Sequence, residues 1–136
     1  MAKFVITTPE ITINSVDLSD HIASVTINES FADVPTTAFG STNVTRIAGL
    51  GDHSISLEFH EDYAASEVHA TINPLVGTTT TVTVTPVAGD SVSATNPKFS
   101  MTVLCTEWQQ INGAVGDLAT ASVTWPISGD VTVLTS

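Results

Sequence analysis

The chain has 136 residues, 42% of them hydrophobic and only 12% charged, with a formal net charge of −11 at pH 7. The apolar fraction is enough for a core, which excludes global disorder, and three cations (Lys3, Arg46 and Lys98) are too few for a basic patch that grips phosphates. The single cysteine, Cys105, excludes an intrachain disulfide, and no apolar run approaches the ~20 residues of a membrane-spanning helix.

The length favours one domain over residues 1–136. The start of the chain does not resemble a signal peptide, so we expect a protein made in the cytoplasm and carrying no membrane anchor. Residues 3–8 and 10–16 are predicted to be extended, with Pro9 between them, and residues 16–20 to turn. A strand is predicted over 22–29, because apolar and polar residues alternate there.

Residues 30–52 show no sustained periodicity and are punctuated by Pro35 and several glycines, so they are predicted to form a long loop. Long ordered loops are usually functional or bound to a partner. The next strand, 54–60, alternates strictly and should direct Ile55, Leu57 and Phe59 into the core.

One short helix is predicted over about 62–76, because Val68, Ile72 and Val76 recur at helical spacing. Strands are then predicted over 78–86, 98–110 and 119–125, with a hairpin connection at 111–117 and a short edge strand near the end of the chain. Val123 and Trp125 should face the core. The predicted fold is mainly β: a β-sandwich or partly closed barrel with one short flanking helix and a long loop between early strands.

Residues that resemble a catalytic or metal site do not complete one. His60-Glu61-Asp62 lacks the second histidine of a zinc-protease motif, since Ala64 occupies that position. His60 and His69 could meet Glu67 or Asp62 around a metal, but exposed polar positions explain them equally simply. No Gly-x-Ser-x-Gly elbow is present. We therefore predict no enzyme activity, no metal and no cofactor.

Trp108 has two interpretations. In an alternating strand Trp108 would lie on the face opposite to Val103 and Cys105. It is therefore predicted either to face outward into a subunit contact, where aromatic residues are enriched, or to pack under the helix.

The order of short motifs resembles the small tail tube, or major tail, proteins of long-tailed bacteriophages with non-contractile tails. The resemblance covers nearly the whole chain and includes Asp17–Ile22, Thr37–Gly40, Thr45-Arg46, Gly49-Leu50, Ser54–Phe59, Pro74-Leu75 with Gly77, Ser93–Pro97 and Gly116–Thr120.

The resemblance implies a structural subunit of the virion tail that forms homo-hexameric rings. The rings stack into a hollow tube through which DNA passes without specific binding, and other tail proteins join the ends of the tube. By position, residues 30–52 would be the loop that reaches the neighbouring ring, with Thr37, Phe39, Asn43, Arg46 and Leu50 as contacts. The alternative is a binding module: an immunoglobulin-like capsid decoration or adhesion domain.

Overall fold

Residues 3–136, the part of the chain that the computed structural model describes, form ten strands and one short α-helix. The strands are β1 (Glu10–Ile13), β2 (Val16–Asp17), β3 (Ile22–Asn28), β4 (Phe31–Pro35), β5 (Arg46–Gly51), β6 (His53–His60), β7 (Thr79–Thr85), β8 (Lys98–Leu104), β9 (Thr120–Ile127) and β10 (Thr132–Leu134), and the helix is α1 (Val68–Ile72).

Eight of these strands pair in the order β2-β1-β7-β8-β9-β6-β3, with β10 joined to β8, and every pairing is antiparallel. β8 and β9 share only the pair Val103 and Ile127, so the sheet divides there into two halves. The inner faces of both halves contribute to one hydrophobic core. The prediction of a mainly β, sandwich-like fold with one short helix is confirmed, and the sheet does not close into a barrel.

The five core residues named from the sequence lie on neighbouring strands. Ile55, Leu57 and Phe59 of β6 and Val123 and Trp125 of β9 are all buried, and β6 pairs with β9 over its whole length. The Trp125 indole N–H donates to the Glu107 carbonyl oxygen at 2.8 Å, which satisfies the one polar atom that this side chain buries.

The helix is shorter than the predicted 62–76. It spans Val68–Ile72, followed by a 3₁₀ turn over Asn73–Leu75. The start was wrong because Asp62 closes a local turn, accepting the Ala64 N–H at 2.9 Å, and Ser66 is left-handed at φ 64°. The helical spacing of Val68 and Ile72 is nevertheless real, since both side chains are buried.

The predicted loop over 30–52 is a β-hairpin. β4 pairs with β5 as a separate two-stranded sheet, from Phe31 opposite Gly51 to Pro35 opposite Arg46. Periodicity missed it because both of its faces are exposed, so apolar and polar residues have no reason to alternate.

The strand predicted over 98–110 ends at Leu104. Beyond it the chain runs beside β9, and side chains bridge the gap in place of a backbone ladder. The Glu107 carboxylate accepts the Thr124 N–H at 2.7 Å, and the Gln109 side-chain oxygen accepts the Ser122 N–H at 2.9 Å. Pro126, next in the same alternating series, has no N–H to satisfy.

Candidate assembly surfaces

The β4–β5 hairpin, residues 31–51, exposes apolar side chains along its whole length. Phe31, Val34, Ile47 and Leu50 are exposed, Leu50 to 87%. An isolated two-stranded hairpin is at best marginally stable in water. The hairpin therefore exposes apolar surface on a separate two-stranded sheet.

The tip of the hairpin is held by threonine contacts. The Thr36 N–H donates to the Thr45 carbonyl at 2.7 Å, and the Thr45 N–H donates to Thr37 Oγ1 at 3.0 Å. Phe39 is fully exposed, in a turn that the Ser41 N–H closes on the Ala38 carbonyl. The tip therefore presents one aromatic ring on an ordered turn.

Of the other predicted contact residues, Asn43 is exposed in the tip and Arg46 begins β5. Arg46 Nε lies 2.9 Å from the Asp33 carboxylate, across the hairpin. Both side chains are more than half exposed. The one arginine of the chain thus has its charge matched within its own hairpin.

The base of the hairpin is fastened to the core by a residue that the sequence analysis missed, His53. Its side chain is 5% exposed, its Nδ1 accepts the Ser30 N–H at 3.2 Å, and its ring meets the edge of Phe31 at 5.2 Å. The Asp52 N–H also donates to the Ser30 carbonyl at 2.7 Å. His53 lies two residues before Ile55, so the alternation that directs Ile55 into the core also predicts an inward His53.

β3 forms one free edge of the large sheet. The N–H groups of Ser122 and Thr124 donate to side chains on the side of β9 away from β6. In an antiparallel ladder, successive residues direct their backbone groups to opposite sides, so the register of β9 with β6 and of β6 with β3 shows which residues of β3 face the free edge. By that alternation Val25 and Ile27 direct their N–H and C=O groups to the free edge, and Thr26 directs its own toward β6. The strand has no lysine or proline to block pairing with a further strand.

An apolar groove runs beside this free edge. It has a volume of about 350 Å³ and is lined mainly by Phe4, Ile6, Val25, Ile27, Val84 and Phe99. Phe4 and Ile6 are exposed, whereas Val25 and Ile27 are half-buried. The edge of β3 is therefore flanked by apolar surface.

The outer face of the β3-β6-β9 half is rich in hydroxyl groups. β3 contributes Ser24 and Thr26, while β6 and β9 contribute Ser54, Ser56, Thr120, Ser122 and Thr124. None of these three strands contains lysine or arginine, and Glu58 adds a carboxylate to the face. Such a surface offers no lysine or arginine to a phosphate backbone, and His60 is its one basic side chain.

Trp108 packs into the molecule. It is half-buried and meets Phe59 edge to face, with ring centroids 5.3 Å apart. Its indole N–H is buried and has no hydrogen-bond partner within the described residues. The placement corresponds to the packing interpretation, and a subunit contact at Trp108 stays a prediction.

Two ionisable groups, the half-buried Glu61 and the buried Cys105, have shifted pKa values. Burial raises the pKa of the Glu61 carboxyl, and the nearby His69 and the Asp62 backbone N–H partly oppose that shift. Burial also raises the pKa of the Cys105 thiol, which favours an unreactive core thiol. Within the described part of the chain, no helix has the length and apolar character needed to cross a membrane.

Comparison with known proteins finds no matching family model and no matching curated protein sequence. Solved structures do match. A chain of the virion of a native gene transfer agent particle shares the fold with a TM-score of 0.71 at 12% identity, over 94% of this chain and 96% of that one.

Two further matches come from tail and baseplate assemblies. A chain of the 6-fold symmetrised baseplate of the anti-feeding prophage matches with a TM-score of 0.64 at 11% identity, covering 99% of this chain and 98% of that chain. A chain from the tail of the empty gene transfer agent particle, refined with C6 symmetry, matches with a TM-score of 0.60 at 15% identity, covering 85% and 83%. At these identities the likeness concerns the fold.

Proposed function

We propose that this protein is a non-enzymatic structural subunit of a phage-type virion tail. It forms six-membered rings that stack into a hollow tube, and DNA passes through the tube without specific binding. The observation that carries the proposal is the β4–β5 hairpin, whose exposed apolar residues need a partner surface. The match of the fold, over nearly the full length of both chains, to a gene transfer agent virion supports the same role.

The ring would close through the free edge of β3. A strand of the next subunit would pair with the outward backbone groups of Val25 and Ile27, and closure around a ring removes every free edge of this kind. The apolar groove beside β3 would add buried area to the same contact. Sixfold symmetry in two of the matched assemblies favours six subunits in each ring.

Rings would stack through the hairpin, with Thr37, Phe39, Asn43, Arg46 and Leu50 as its contact residues. Ring closure and stacking would then use different parts of the chain, so each can be disrupted separately. Other tail proteins would meet the two ends of the tube, where the hairpin or its receiving surface is left unpaired.

The bore would favour sliding over binding. Six copies carry a formal charge of −66, six times the −11 of one chain. Negative charge near a narrow channel repels phosphates, and the hydroxyl-rich outer face of β3, β6 and β9 provides no lysine or arginine to hold them.

The test replaces residues 31–51 with a two-residue glycine linker. Ser30 and Asp52 are already joined by a backbone hydrogen bond of 2.7 Å, so the linker closes a gap that the fold has made short. We expect a folded protein, by circular dichroism and thermal melting, that yields rings but no tubes by electron microscopy. Tubes made by this variant would refute stacking through the hairpin, and a persistent monomer from the wild-type protein at high concentration would favour the binding-module alternative.

A further inference from the structure

Three segments distant in sequence bring a histidine together with three carboxylates. His21 ends the 3₁₀ turn that precedes β3, Asp62 follows β6, and Glu67 immediately precedes α1. The His21 Nε2 atom lies 2.7 Å from Glu67 Oε2, 3.5 Å from Asp62 Oδ2 and 3.7 Å from Asp20 Oδ2. We refer to these four residues as the His21 cluster.

The His21 cluster holds excess negative charge in a partly enclosed place. The side chains of His21, Asp62 and Glu67 are 20%, 33% and 37% exposed, whereas that of Asp20 is 79% exposed and lies at the rim. One imidazole carries at most one positive charge, so three ionised carboxylates leave at least two negative charges uncompensated. Within residues 3–136, no lysine or arginine forms an ion pair with the cluster, and Arg46 is paired with Asp33.

The donor atoms suit a metal ion in both type and spacing. Zinc binds histidine nitrogen and carboxylate oxygen at about 2.0–2.2 Å, so neighbouring ligand atoms of a tetrahedral site lie roughly 3.4 Å apart. The distance from His21 Nε2 to the Asp62 oxygen, 3.5 Å, is close to that spacing, and the ligand atoms of His21, Asp62 and Glu67 all lie within 4.8 Å of one another. The 2.7 Å contact with Glu67 is a hydrogen bond from the His21 Nε2–H. The metal ion would replace that proton, which is released to solvent, and the two ligand atoms would move apart by less than about 1 Å.

Asp62 is already oriented by the backbone. Its Oδ1 accepts the Ala64 N–H at 2.9 Å, which leaves Oδ2 directed toward His21. A carboxylate held in this way by a hydrogen bond to its other oxygen is typical of metal ligands.

We propose that His21, Asp62 and Glu67 bind a divalent metal ion of the zinc class, with water completing its coordination. The imidazole nitrogen favours zinc, cobalt or nickel over calcium and magnesium, which prefer ligand sets made of oxygen alone. The bound ion joins the start of β3, the end of β6 and the start of α1, a five-residue helix without a side-chain hydrogen bond at its N-terminus. The site acts within one chain and does not depend on the tail-tube role.

The test uses the full chain, stripped of metal, and measures zinc binding by calorimetry and thermal melting. We expect one zinc ion for each chain and a higher melting temperature with zinc, since an ion that binds the folded state stabilises it. Calcium should bind at least tenfold more weakly. Cobalt(II) should give visible absorption bands of a bound ion, and zinc should remove them.

Two variants locate the ligands. Glu67→Gln keeps the size of the side chain and a hydrogen-bond acceptor for His21, and His21→Gln removes the nitrogen ligand. Each should lower zinc affinity by at least about tenfold, whereas His60→Gln, a histidine outside the cluster, should bind as the wild type does.

Unchanged zinc affinity in folded Glu67→Gln would overturn the proposal, as would the absence of zinc binding by the wild-type chain. Equal affinity for calcium and zinc would overturn the assignment of His21 as a ligand. If His21→Gln fails to fold, Glu67→Gln and the cobalt spectrum still decide the question.

Discussion

Replacement of Phe39 by alanine separates stacking from folding. The ring is fully exposed in the single chain, so its removal should leave the free energy of unfolding nearly unchanged. If the ring is buried between subunits, the change removes on the order of 100 Å² of apolar surface from the contact, worth about 2.5 kcal/mol. That loss corresponds to a roughly 60-fold weaker association for each contact.

The assay is the lowest protein concentration at which tubes form, measured by sedimentation and checked by electron microscopy. We expect that concentration to rise at least tenfold for Phe39→Ala while the melting temperature stays the same. Ile111→Ala is the matched control, because Ile111 is 81% exposed and lies outside the hairpin and the β3 edge. Tube formation by Phe39→Ala at the wild-type concentration would refute the burial of Phe39 between subunits.

Four further substitutions test the hairpin ion pair, the free edge of β3 and the shifted pKa of Glu61. Arg46→Ala should change the free energy of unfolding by less than about 1 kcal/mol, because its ion pair with Asp33 is exposed. It should nevertheless weaken tube assembly, because the Asp33 carboxylate is left uncompensated, and normal tube formation by this variant at low salt would refute a role of Arg46 in stacking. Val25→Pro removes an N–H at the free edge of β3 and should abolish rings in a folded protein. Thr26→Pro removes an N–H directed to β6 and should lower the melting temperature more than Val25→Pro does. Ring formation by Val25→Pro would refute ring closure through the edge of β3. Burial raises the folded pKa of Glu61 above its usual 4.5, so the folded chain holds this proton more tightly than the unfolded chain does. Glu61→Gln should therefore be more stable than the wild type at neutral pH. The difference between their free energies of unfolding should shrink as pH falls from the raised folded pKa toward 4.5. A difference that does not change between pH 4 and 8 would contradict the raised pKa.

The strict alternation of Ile55, Leu57 and Phe59 predicted the central strand because one face of β6 is buried and the other is polar. Burial imposes the pattern on the sequence, so buried elements are the ones that patterns reveal. The hairpin of β4 and β5 carries no such pattern, since neither face packs against its own core. The resemblance and the length of this segment predict a contact element, but nothing in the sequence pattern predicts its two strands.

The His21 cluster shows a different limit. His21 and Glu67 are 46 positions apart in sequence, and only the pairing of β3 with β6 brings them together. The sequence alone points to His60 and His69 as the histidines near Asp62 and Glu67. His60 belongs to the strand whose alternation was recognised, whereas His21 lies in a short turn where no periodicity applies. Contacts of this kind depend on topology, which the local patterns leave undetermined.

The most direct test of the tail-tube role is electron microscopy of the purified wild-type protein, with averaged end-on views of whatever assemblies it forms. We predict hollow tubes built of stacked rings, each with six subunits around an open bore. Particles that remain single subunits at high concentration, or closed assemblies without a central channel, would contradict the account.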